Sequence, residues 1–190
     1  MVNTILKEAD LFCPNSVRIN FTIYQIIKNY VTILPRREVF IMLEKNADLG
    51  DYGPAPFAPD LKLAALENEN YRTTLWTGDH FQITLMAIPA GGGDIGMEIH
   101  HGNDQFIYLV AGIGHVKMGK DKDHLTVDQE IHPGEAVIVP DNTWHNVINA
   151  GKQTMKVFSI YSPVKHQKGT NETTKADAIK QEGPLEGTGE

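Results

Sequence analysis

Two short stretches of this chain hold side chains that could act together on one ligand. The first, Glu98-Ile99-His100-His101-Gly102-Asn103-Asp104-Gln105, packs a carboxylate, imidazoles and an amide into one turn and its flanks. Side chains alternate faces along a strand, so Glu98 and His100 point one way while Ile99 and His101 point the other. After a turn at residues 102–104 the chain doubles back, and Gln105, leading the next strand, projects toward the same space. A β-bulge in the first strand would exchange the parts of His100 and His101. The second stretch, Gly134 to Asn149, reads as strand, tight turn and strand, and delivers His145 to a strand start. Together Glu98, His100, Gln105 and His145 offer a carboxylate, two imidazoles and an amide oxygen. Two imidazoles with a carboxylate suit a divalent Fe, Mn, Zn, Ni or Co ion and leave positions open for water or substrate. Glu98 has a second expected role, as a catalytic proton carrier beside the metal.

These residues need a scaffold of short strands, and the sequence supplies one. From Tyr71 onward short apolar runs are punctuated by Gly, Pro, Asn and Asp, the pattern of an all-β sandwich or barrel. Strands are expected at Arg72–Trp76, Phe81–Ile88, Ile95–His101, Gln105–Val110, His115–Met118, Leu125–Ile131, Ala136–Val139, His145–Asn149 and Met155–Tyr161. Thr77-Gly78-Asp79 reads as a hairpin turn, and Gly91-Gly92-Gly93-Asp94 as a strand connector. It is not a phosphate cradle, because no helix follows it. Trp144, Phe106, Tyr108 and Phe158 read as core aromatics ahead of pocket-lining ones.

On either side of this body the composition changes. Residues 1–59 form an N-terminal extension ending in a Pro/Gly-rich arm over 50–59, and Ile23, Ile26, Ile27, Tyr30 and Val31 have helical spacing within it. The barrel is expected over 60–163. The segment 164–190, rich in Lys, Glu, Thr and Gly, reads as a flexible polar tail with a short helix around residues 174–181.

With 190 residues and 41% apolar content, the chain suits one domain with a real core. A net charge of −7, with no basic cluster beyond Arg36-Arg37, argues against nucleic acid as a partner. No run approaches the roughly 20 apolar residues that cross a bilayer, and no secretory signal is visible, so a cytoplasmic location is expected. Cys13 is the single cysteine, which excludes an intrachain disulfide and a cysteine-based zinc site. His80, His115, His124, His132 and His166 fall outside the two stretches and read as structural or surface residues.

The two stretches resemble the paired motifs of the cupin superfamily. The first family motif is matched at Glu98, His100, Gln105 and Gly112, with glutamate and glutamine standing where the family has a histidine and a glutamate. The second is matched at Gly134, Pro140, His145 and Asn149, with Asn142 in place of a glycine. Asparagine is the residue that best replaces glycine where the backbone turns left-handed. Arg72 to Gly78, Asp104-Gln105-Phe106 and Gly134 to Asn149 look like a bacterial subgroup described as mannose-6-phosphate-isomerase-like. The resemblance implies a single antiparallel β-barrel of jelly-roll type, a homodimer, and a metal held by Glu98, His100, Gln105 and His145. It also implies an isomerase-like or epimerase-like enzyme acting on a small polar or anionic molecule, a carbohydrate among them. The alternatives are a non-catalytic sugar- or metabolite-binding module, a non-heme metal dioxygenase, and a barrel that is only a scaffold.

Overall fold

The computed structural model describes residues 49–182. The helix expected over residues 23–31, and Cys13, lie outside them. In chain order the elements are α1 (Leu61–Glu67), β1 (Arg72–Thr77), β2 (Gln82–Ile88), β3 (Asp104–Ala111), β4 (Gly114–Gly119), β5 (Val127–Ile131), β6 (Ala136–Val139), β7 (Trp144–Asn149), β8 (Met155–Ser162), β9 (Asn171–Glu172) and α2 (Lys175–Glu182). They build two antiparallel sheets, six strands in the order β6-β3-β8-β2-β1-β9 and three in the order β5-β4-β7. This is the all-β barrel that the strand pattern predicts, of the jelly-roll type that the resemblance implies.

The sheets face each other across one core. Met86, Ile88, Leu109, Met155 and Val157 come from the larger sheet, and Val116, Ile131 and Val147 meet them from the smaller. Alternation is strict along β8, where Met155, Val157, Ser159 and Tyr161 are buried and the residues between them are partly exposed. The outer face of the larger sheet has its own apolar cluster, in which Ala64 and Ala65 of α1 cover Leu75, Leu85 and Val110. Phe106, Tyr108 and Phe158 stack on that outer face. They are packing residues and stand away from the barrel interior. α1 was not anticipated from strand periodicity, although Asp60, whose carboxylate accepts from the Leu63 amide, caps a Leu/Ala-rich run of strong helix formers.

One expected strand is not a strand. Over residues 94–101 two isolated bridges reach β7, Asp94 with Ile148 and Glu98 with His145. Four steps along one chain therefore face three along the other, and the extra residue is taken up around Gly96, whose φ of 94° no regular strand adopts. The bulge lies before Glu98, so the facing of Glu98 and His100 survives it. The turn from β3 to β4 is likewise set by a glycine: Gly112 has φ 95°, and a Cβ there would sit 2.9 Å from Met155 Cα.

The flanking segments pack on this frame. The Asp51 carboxylate accepts from the amides of Gly53, Thr77 and Gly169 and from the Thr77 hydroxyl, and Trp76 Nε1 donates to the Ala55 carbonyl. The expectation of a free polar tail does not hold for residues 165–182. Asn171 and Glu172 pair with Arg72 and Thr73, and Ala178 of α2 is buried in the main core. The physical reason is specific polar pairing: Glu172 forms a buried ion pair with Arg72 at 3.2 Å, and Gln82 holds the buried His166 backbone through both its amide atoms.

Candidate metal centre

β3 begins at the polar end of the barrel, and Gln105 is its first inward-facing residue, 3% exposed. β7 brings His145, fully buried, to the same end. The bulged segment beside β7 supplies Glu98 through reciprocal backbone bonds with His145, Glu98 N to His145 O at 3.0 Å and His145 N to Glu98 O at 2.9 Å. His100 follows, its carbonyl accepting from the Asn142 amide at 2.9 Å. Asn142 has φ 56°, the left-handed conformation anticipated for it. The structure therefore brings all four sequence-predicted residues together. His101 points out to solvent, with Nδ1 at 2.6 Å from the Asn142 side-chain oxygen.

The geometry converges on one point. Glu98 Oε1 lies 3.4 Å from the Nε2 atoms of both His100 and His145. Gln105 Oε1 lies 3.2 Å from His100 Nε2 and 3.0 Å from His145 Nε2. One ligating atom from each of Glu98, His100 and His145 falls within a 4.8 Å group, the one such cluster found among the described residues. Two neighbours orient the set. His145 Nδ1 sits 3.0 Å from the Thr143 carbonyl oxygen, which can only accept, so Nδ1 carries a proton and Nε2 is the ring nitrogen turned toward Glu98 and Gln105. Gln105 Nε2 donates to the Tyr161 hydroxyl at 2.9 Å, turning Oε1 toward the imidazoles. His100 Nδ1 is buried with no hydrogen-bond partner. Its ring is placed instead by edge contacts with His145 and Tyr161, at centroid distances of 5.0 and 5.9 Å.

Burial by itself would raise the pKa of Glu98. Hydrogen bonds and charge from His100 and His145 outweigh it and hold the carboxyl well below the usual range. The site thus aims an ionised carboxylate oxygen, an amide oxygen and two imidazole nitrogens at one another. Such a set needs a cation between its members, either a proton on an imidazole or a metal ion. The donor chemistry fits a divalent transition metal, with His145 Nδ1 engaged by the Thr143 carbonyl and Nε2 facing the other donors.

Sequence reasoning missed Tyr161 and the Thr143 carbonyl. Tyr161 is the cross-strand partner of Gln105, a relation that depends on register between distant segments. Of the remaining histidines, His166 is buried against β2 and the others lie at or near the surface.

Comparison with known proteins agrees with this architecture. A family model described as "Cupin domain" matches residues 84–161. The "uncharacterized protein YrkC" of Bacillus subtilis (strain 168) is 49% identical over 136 residues, covering 72% of this chain and 73% of that protein. The crystal structure of BH2720 from Bacillus halodurans superposes with a TM-score of 0.67 at 44% identity, covering 69% of this chain and 98% of that one. With its two motif stretches folded onto one end of a jelly-roll barrel and these relatives alongside, the chain belongs to the cupin superfamily.

Proposed function

We propose that this chain is a metal-dependent cupin enzyme in which Glu98, His100, Gln105 and His145 hold a divalent ion, and that it acts on a small polar or anionic molecule. The observation that carries the reading is the convergence of Glu98 Oε1 and Gln105 Oε1 on the two imidazole Nε2 atoms, all at 3.0–3.4 Å, inside a buried site. When bound, the ion supplies Lewis acidity, polarising a carbonyl or carboxylate oxygen of the substrate. The protein's own residues do the rest. Thr143 and Tyr161 orient His145 and Gln105, and the barrel wall excludes bulk water. Of the two roles expected for Glu98, ligand and proton carrier, its central position between both Nε2 atoms favours ligand.

Turnover of aldose and ketose phosphates and of short hydroxy acids tests the reading, with metal-loaded protein, chelator-stripped protein and His145→Ala compared side by side. Turnover by the loaded protein alone is expected. Metal-dependent binding of these compounds with no turnover of any would make the chain a binding module instead.

A further inference from the structure

Below the metal cluster, the barrel wall carries hydroxyls that bond to nothing. Gln82, Tyr161 and Gln105 are cross-strand neighbours on β2, β8 and β3, and Gln105 joins this row to His100 and His145. Two residues along the same strands the next inward-facing row is Thr84, Ser159 and Ile107, and the row after that is Met86, Val157 and Leu109. Thr84 and Ser159 are 0% and 1% exposed, and neither hydroxyl has a hydrogen-bond partner. Buried hydroxyls are normally bonded, because water pairs them in the unfolded chain and a core that fails to do so loses stability. Valine and alanine would fill these two places without that cost, and the very next row of the same sheet is wholly apolar.

We infer that Thr84 and Ser159 form the floor of the ligand site and hydrogen-bond a second oxygen of the molecule whose first oxygen goes to the cation. The inference rests on the metal-centre reading for the placement of that first oxygen. Rows two residues apart are separated by about 7 Å, so the ligand carries oxygens at both ends of a chain of roughly four carbons. A hydroxyl can donate or accept, which fits a polyhydroxylated acid or short sugar better than a plain carboxylic acid.

The test uses Thr84→Val, Ser159→Ala and the double variant, with 2,3,4-trihydroxybutanoate and butanoate as probes. The melting temperature of each variant is measured without ligand, affinity for both probes is measured by calorimetry on metal-loaded protein, and metal content is read on the same samples. Expected are melting temperatures equal to or above wild type, a wild-type preference of about tenfold for the hydroxylated probe, and loss of that preference in the double variant. Ligand-free variants that melt more than about 3 °C lower would show that the hydroxyls hold the fold, and would overturn the inference. So would equal affinity of the wild type for both probes. A wild type that holds no metal overturns the metal-centre reading on its own, while the melting and two-probe comparisons on that protein still decide the role of the hydroxyls.

Discussion

At the scale of single residues, the site depends on neighbours that touch no ligand. The Thr143 carbonyl keeps a proton on His145 Nδ1, and the Tyr161 hydroxyl fixes the amide of Gln105. Such outer partners typically contribute ten- to a hundredfold in metal affinity. Tyr161→Phe removes the oxygen that accepts from Gln105 Nε2, so the amide is free to turn its oxygen away from the imidazoles. Metal affinity in a competition titration should fall about tenfold with the fold intact; unchanged affinity would mean that packing alone orients Gln105. Three of the four converging residues were legible in the sequence because their spacing is local, one residue between Glu98 and His100 and one turn between His100 and Gln105, and His145 was legible from the spacing of the second stretch. Tyr161, Thr84 and Ser159 were not, because a strand's parity says which residues share a face and says nothing of which distant strand lies alongside.

At the scale of elements, two local devices position the site and a third fastens the arm to the barrel. The bulge at Gly96 lets the segment before Glu98 leave regular pairing and rejoin β7 opposite His145. The left-handed Asn142 closes the turn that delivers His145. A glycine inside an apolar run was the available signal for the first, and motif spacing for the second. The arm is fastened by Asp51, whose carboxylate draws together the β1 end and the segment at Gly169. Burial pushes the pKa of Asp51 up, and its hydrogen bonds with Thr77, Gly53, Gly169 and Thr74 together bring it below the ordinary 3.8. A carboxyl depressed in the folded state stabilises above its unfolded pKa, and that contribution is lost as pH falls through the lower, folded value. Melting temperature should therefore decline below pH 3.8. In Asp51→Asn it should be lower at neutral pH and show a shallower acid limb; matching acid limbs would contradict the assignment.

At the scale of the whole molecule, the larger sheet is extended at its edge by residues whose composition reads as tail. β9 extends the six-stranded sheet, and its Glu172 pairs with Arg72 inside the protein. A two-residue strand has no periodicity to detect, and a polar segment signals disorder until the buried charge it answers is known. Removing one member of a buried ion pair strands the other. Glu172→Ala should accordingly cost about 3 kcal/mol in urea unfolding, and pairing it with Arg72→Met should recover part of the loss. A single variant as stable as wild type would show that Glu172 does not hold the tail to β1. The barrel itself was readable because short strands and punctuating turns recur along the body, whereas α1, lying between the arm and β1, carried a cap and a Leu/Ala run that strand periodicity does not register.

The claim on which the rest depends is that this end of the barrel holds a metal ion. Elemental analysis of protein purified without added metal or an affinity tag tests it, run beside Glu98→Ala, His100→Ala and His145→Ala variants whose circular dichroism matches wild type. Near-stoichiometric divalent metal in the wild type, lost in the variants, is the predicted result. A wild type that carries none and takes up none on reconstitution would contradict it.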